Sequence, residues 1–277
     1  MSYDIFQLYN KCFPGFQMNR EVWNNCLKPE IACIIRVYEG KETIGFSMIH
    51  GNSITLLCVD EKHRGKGYGS GLLKVSEEHI KSSGAAHIIL GQGRYYVLQG
   101  VPAENPDITS FFMKRGYEAE WTSVNMSIQL DIFDSDALNL PPLPESVSFR
   151  FAEEADKEEL LAAVEDADSK WVRFFEDCKD PVMLAVSDGE ITGFQILITE
   201  DAQFSGEKEK FAYIGCVGVI NKARGLGIGR RMVAEGMNFL KQEGCTAAEL
   251  RYVAIADWYS KLGFHVVSEQ WMGEKKL

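Results

Sequence analysis

Two stretches of this chain place bare backbone beside a cation. Arg64-Gly65-Lys66-Gly67-Tyr68-Gly69-Ser70 and Arg224-Gly225-Leu226-Gly227-Ile228-Gly229-Arg230 share the spacing Arg-x-x-Gly-x-Gly. Glycine removes side chains that would block a close approach to the backbone. Each loop follows an apolar run that suits a buried strand, and each precedes an amphipathic run. After the second loop, Met232, Val233, Met237 and Leu240 recur with the period of a helix facing a core. A strand feeding a helix through such a loop leaves unpaired N–H groups at the positive helix end. That arrangement binds phosphate.

Other phosphate-binding and catalytic signatures are missing. The dinucleotide pattern G-x-G-x-x-G would need a third glycine where Leu72 and Met232 stand. G-x-x-x-x-G-K-[ST] does not occur either. His50, His63, His79, His87 and His265 are scattered without metal-ligand spacing, so no metal site is expected. Neither a Ser-His-Asp nor a Cys-His arrangement can be placed.

The elements that must hold these loops also occur twice. Ala32–Ile49 matches Val182–Leu197, with a Gly-Phe pair in each. A valine lies five residues before each arginine, Val59 and Val219. Downstream, SFFMKRGYEAE matches DWYSKLGFHVV. A repeat this long means two similar domains in tandem rather than a solenoid unit, and 277 residues suit two domains of ordinary size. The division expected is 1–133, a linker at 134–146, and 147–277. Within the linker region, three prolines in four positions favour an extended spacer. Within each half the pattern predicts a helix, a hairpin, a central strand, the glycine loop with its helix, a further strand and helix, and a closing hairpin. The fold class is α/β with a mixed, α+β-type sheet flanked by helices.

Composition narrows the partners. A net charge of −11 argues against a nucleic-acid binder. No apolar run approaches the ~20 residues of a membrane span. The start MSYDIFQLYNKCF lacks the basic and apolar regions of a signal peptide. The seven cysteines contain no C-x-x-C pair, which fits buried thiols in a reducing cytoplasm.

The paired Arg-x-x-Gly-x-Gly loops, each between an apolar strand and a helix, resemble the acyl-CoA-binding signature of the GCN5-related N-acetyltransferase (GNAT) superfamily. The resemblance covers nearly the whole chain, as a tandem two-domain member. It implies acetyl-CoA as cofactor, with its diphosphate on the backbone of residues 64–70 or 224–230. It also implies a pantetheine arm paired with the end of the central strand, at Cys58 and Val59 or at Val217, Gly218 and Val219. That strand splays from its parallel neighbour in the superfamily. The valine N–H would face the thioester carbonyl, and one such donor is worth ~2.7–4 kcal/mol as charge builds there.

Acetyl transfer to an amine has two proton steps. Presenting a lysine-like amine neutral at pH 7 costs roughly 4.6 kcal/mol. The departing thiolate must then be stabilised or protonated. In the superfamily a tyrosine four residues before the closing glycine serves the second step, and here Tyr259 precedes Gly263 by four. The matching position in the first half is Phe112, which keeps packing and loses the proton. The resemblance therefore favours catalysis in the second half, with the first half either binding acetyl-CoA without reacting or shaping the substrate. The second half lacks the customary asparagine between Leu250 and Tyr259. Glu200, Asp201 and Tyr213 are candidate bases. The acidic segment 165–180, with Trp171, Phe174 and Phe175, lies where superfamily members form the acceptor lip; the alternative is an amphipathic helix with a solvated acidic face. The expected activity is acetyl transfer to a primary amine of a small molecule or peptide by direct attack, and a homodimer is compatible with it. The alternative is a non-catalytic acyl-CoA-binding or sensor protein.

Overall fold

The computed structural model describes residues 2–16, 18, 20–93, 97–199 and 211–277. The first half carries helices α1 (Ser2–Cys12) and α2 (Arg20–Cys26), then strands β1 (Cys33–Glu39), β2 (Glu42–His50) and β3 (Ser53–Val59). Helix α3 (Tyr68–Ser82), β4 (His87–Leu90), β5 (Val101–Pro102), α4 (Pro106–Met113) and β6 (Thr122–Gln129) follow. The second half carries β7 (Val147–Phe151), α5 (Lys157–Asp168), α6 (Val172–Phe175), β8 (Val182–Ser187), β9 (Glu190–Ile198) and β10 (Phe211–Val219). It ends with α7 (Ile228–Gln242), β11 (Ala247–Val253), α8 (Ala256–Ser260), β12 (His265–Trp271) and β13 (Glu274–Lys276). Among the described residues no helix is long and apolar enough to cross a membrane.

The chain forms two compact units. The first holds the residues up to Val124 together with Ser268–Leu277, and the second holds Asn125–Val267. The sequence divides the chain at 133 and 147, whereas the contacts divide it inside β6 and β12. The physical reason lies in the closing strands. In the first unit β13 pairs antiparallel with β4, through Glu274–Ile89, Lys275–Ile88 and Lys276–His87. The expected hairpin of 117–121 with 123–130 is therefore not formed, and Glu118 instead bridges Glu274. The strand that joins β4 is the charged Glu274–Lys276, whose sequence carries no apolar pattern that assigns it to a sheet.

In the first unit the sheet order is β1-β2-β3-β4-β13. Ile49, Ile54, Leu73, Ile80, Ile88 and Phe112 are buried together against α3 and α4. On the other face, Ile5, Tyr9 and Trp23 of α1 and α2 are fully buried on Phe46 and Met48. Strands β3 and β4 pair in parallel only at Ser53–Ile89 and Ile54–Leu90. Beyond Ile54 the two strands part. In the second unit β10 and β11 pair in parallel at Phe211–Ala247, Ala212–Ala248 and Tyr213–Glu249. The central strand is bulged in both copies. The register with the preceding strand slips by one residue around Thr55, and again between Gly215 and Gly218, where Cys216 has φ 48°. A bulge bends a strand and re-aims its backbone, a feature common beside functional sites.

Candidate functional site

In the first unit the parting of β3 and β4 opens a cavity of about 890 Å³. Its walls run from Ile54–Val59, through Arg64, Gly65, Gly67, Gly69 and Ser70, to Gly91, Gly100, Phe111, Phe112 and Arg115. Eight of the first-half residues expected to hold a cofactor (Cys58, Val59 and residues 64–70 save Lys66) have seven members on this wall; Tyr68 lies beside it, half-buried, at the first position of α3. Lys66 is exposed.

Gly67 caps α3 at φ 89°, in the left-handed region where a side chain is strained. A β-carbon built there would meet nothing within 4 Å, so the loop faces open space. The first amide of α3 to find a helical carbonyl is that of Gly71, which donates to Gly67 at 3.0 Å. The amides before it are the unpaired donors that an anion needs. Arg64 acts differently from the simple reading of a cation for phosphate. Its Nε donates to the Val59 carbonyl at 3.0 Å, which ties the loop to the end of β3. Its Nη2 lies 3.9 Å from Cys12 Sγ.

Cys12 ends α1 and lies on the cavity wall. A hydrogen bond with Cys58, then the Arg64 guanidinium, hold its thiol down at about 7. Burial pushes the Cys58 thiol well up. Sequence reasoning missed Cys12 and Arg115. Comparing the halves would have exposed Arg115, since Leu262 occupies its place in the second copy.

The second unit repeats the loop, and beyond Tyr213 β10 and β11 part as well; what differs is the segment that lies against the loop. Arg224 Nε donates to the Val219 carbonyl at 3.2 Å, as in the first copy. Gly227 caps α7 at φ 82°. Here, however, a β-carbon would lie 3.0 Å from Pro141 Cβ and closer still to its Cγ. Arg231 Nε donates to the Pro141 carbonyl at 3.2 Å, Asn238 Nδ2 to Ser135 Oγ at 3.2 Å, and Lys241 Nζ to the Phe133 carbonyl at 2.8 Å. The segment expected to be a free spacer thus lies along α7 and reaches its glycine loop. Arg224, Gly225 and Leu226 are exposed, Ile228 is buried, and Val217, Val219, Gly229 and Arg230 are half-buried. Gly218 answers a packing need, because a β-carbon there would enter the Phe194 ring.

Tyr259 on α8 is 8 % exposed, between the rings of Trp258 (centroids 4.7 Å apart) and Phe264 (6.0 Å). Burial, then nearby Cys216, raise its phenol above the ordinary value. Tyr213 is buried under the Arg251 guanidinium, 3.9 Å from the ring centroid. Glu249 faces Arg251 at 3.7 Å, and burial raises its carboxyl. Glu200 and Asp201 lie outside the described residues. Trp171 and Phe175 turn their edges to Phe194, with centroids at 6.5 and 5.2 Å, as core contacts rather than an open cage. Phe174 is exposed. Among the described residues no group of three His, Cys, Asp or Glu could hold a metal ion.

The model of the Acetyltransferase (GNAT) family matches residues 2–99 and 146–264. The chain belongs to the GNAT family. Its fold is that of acyl-CoA-dependent N-acetyltransferases, in tandem. Solved structures agree at the level of fold. A GCN5-related glucosamine N-acetyltransferase region of a fungal multi-domain β-N-acetylglucosaminidase matches with a TM-score of 0.81 at 21 % identity, over 98 % of this chain. This GNAT chain spans 36 % of that protein. A GCN5-related N-acetyltransferase from Sphaerobacter thermophilus matches at 0.73 and 21 %, over 99 % of this chain and 92 % of its own. A tandem GNAT protein of the clavulanic acid biosynthesis pathway matches at 0.70 and 15 %, over 99 % and 96 %. No curated protein matches the chain in sequence.

Proposed function

We propose that this GNAT protein transfers an acetyl group from acetyl-CoA to a primary amine of a small molecule or peptide by direct attack, with the cofactor held in the first unit. The observation that carries this reading is the contrast between the two glycine loops. Gly67 borders a cavity of about 890 Å³, while Gly227 has Pro141 against it. The cavity has the size and the mainly apolar walls of a cofactor site. The amides of residues 65–70 would hold the diphosphate, and the free edge of β3 beyond Ile54 would pair with the pantetheine arm. Acetyl-CoA supplies an acyl carbon activated as a thioester. Phe112 cannot give a proton; among the described residues Cys12, Thr55 and Asp107 lie on the cavity wall as groups able to move one.

A second reading keeps catalysis in the second unit, as the resemblance favours. Its support is Tyr259, whose raised phenol stays protonated at neutral pH beside the bulge at Cys216. In that reading the segment at Pro141 must leave Gly227.

Paired substitutions separate the two. Ser70 and Arg230 occupy equivalent places in the first turns of α3 and α7. Ser70→Glu sets a carboxylate where the diphosphate would sit and is expected to weaken CoA binding at least about tenfold by calorimetry. Arg230→Glu is expected to change it less than about twofold. The reverse pattern, with a large loss of turnover in Tyr259→Phe, supports the second unit. Tight CoA binding without thiol release across a panel of aminoglycosides, polyamines and peptide N-termini supports a sensor instead.

A further inference from the structure

Arg115 stands directly before Gly116, where the second copy has the fully buried Leu262. Its guanidinium is held in place from three sides. Nη1 donates to the Phe111 carbonyl at 2.6 Å, and Nη2 donates to Ser70 Oγ at 2.7 Å. The plane lies over the Phe111 ring, 3.8 Å from its centroid. All three partners are neutral. The carboxylate on the same cavity wall, Asp107, belongs to the opposite end of α4. A half-buried cation whose direct partners are uncharged, on the wall of a cavity, is set to meet an anion from that cavity.

Ser70 lies in the first turn of α3, among the amides that precede the Gly71 bond. Guanidinium and helix end therefore converge on one point. The molecule as a whole carries −11 and repels a polyanion, so a local cation at this point has a specific use.

We propose that Arg115 is a specificity-determining residue of the first unit's site, its guanidinium contacting the diphosphate of the acyl-CoA donor at the amino end of α3. This inference rests on the reading of the first unit as the cofactor site. The second copy has leucine in this position, and its cation in the first turn of α7 is instead Arg230, in the place of Ser70.

Three ligands distinguish the possible contacts. CoA carries a diphosphate and a 3′-phosphate, dephospho-CoA the diphosphate alone, and pantetheine neither. Binding is measured by calorimetry on the full chain, native and as Arg115→Ala, Arg115→Met and Arg115→Lys, at two salt concentrations. Arg115→Ala and Arg115→Met should weaken CoA and dephospho-CoA equally, by about ten- to a hundredfold, the loss of a charge-assisted bond. Pantetheine binding should not change, the salt dependence should become shallower, and Arg115→Lys should recover most of the affinity. Pantetheine is also the control for damage to the Phe111 packing, since a collapsed cavity weakens all three ligands alike. Loss confined to CoA would move the contact to the 3′-phosphate and overturn the assignment, as would unchanged binding or a uniform loss including pantetheine. Native protein that binds no CoA would instead remove the reading of the site itself.

Discussion

At the residue scale, Cys12 is a chemical reporter of the cavity. Its Sγ lies 3.6 Å from the Val59 carbonyl, at the mouth of the strand that would receive the pantetheine arm. With its thiol held down at about 7, more of it is thiolate at neutral pH than of an ordinary cysteine. Burial pushes Cys26 and Cys216 up to about 12, and raises Cys178 as well. Iodoacetamide at pH 7 should therefore modify Cys12 at least about tenfold faster than those three, with an inflection near 7. Peptide mass spectrometry reads the order directly. The sign follows from the cause: the thiolate is favoured by the Cys58 bond and then by Arg64, so Cys58→Ala should move the inflection upward. Saturating CoA should slow the labelling several-fold. Equal labelling of all four thiols would show that the cluster does not activate Cys12. The motif arginines teach a related lesson at this scale. Arg64 and Arg224 both spend their Nε on a valine carbonyl five residues back, so their spacing encodes a loop fastener.

At the scale of elements, the 3-10 turn Glu154–Asp156 that leads directly into α5 is capped by side chains. Glu153 and Asp156 form a capping box, and the Asp156 carboxylate accepts from the Glu153 amide at 2.7 Å. Arg150 adds a bidentate pair, at 2.6 and 2.7 Å. The Arg150 bond first, then that amide, depress the Asp156 carboxyl from its ordinary 3.8 to about 2. A depressed carboxyl contributes stability that is present above its unfolded value and is lost as pH falls through the folded one. Asp156→Asn should cost about 1 kcal/mol at pH 7, read as faster hydrogen exchange along α5. The gap to the native chain should close between pH 4 and 2, and a gap that persists there would exclude the carboxylate as the source. The elements that were legible in sequence are those whose causes are local. The glycine loops, the helices after them and the central strands follow from spacing and period alone. The exchange of β13 to β4, the seating of Pro141 on Gly227 and the Arg115–Ser70 bond depend on partners 45 to 190 residues away in the chain, so no local pattern announces them. The role of Tyr259 shows the same limit, because four-residue spacing places a phenol on α8 without stating whether the adjoining loop is open.

At the scale of the whole molecule, duplication has produced two loops of one design with different surroundings. A ligand that binds the native state stabilises the part that holds it, by about 2.7 kcal/mol at a hundredfold excess over Kd. If the first unit alone holds the ligand, that gain is not shared evenly. Hydrogen exchange with saturating CoA should slow in β3, α3 and α4, and change little in β10 and α7. Calorimetry should give one equivalent per chain. The double substitution Pro141→Gly and Arg231→Ala removes the ring beside Gly227 and the bond that holds its carbonyl. Its expected result is a second, weaker equivalent, with new protection at the amino end of α7. Two equivalents in the native chain, or protection appearing first in α7, would show that the second loop is accessible despite Pro141. One equivalent in both proteins would mean that the second loop has lost its affinity as well as its access, and that the second copy survives for the packing it supplies.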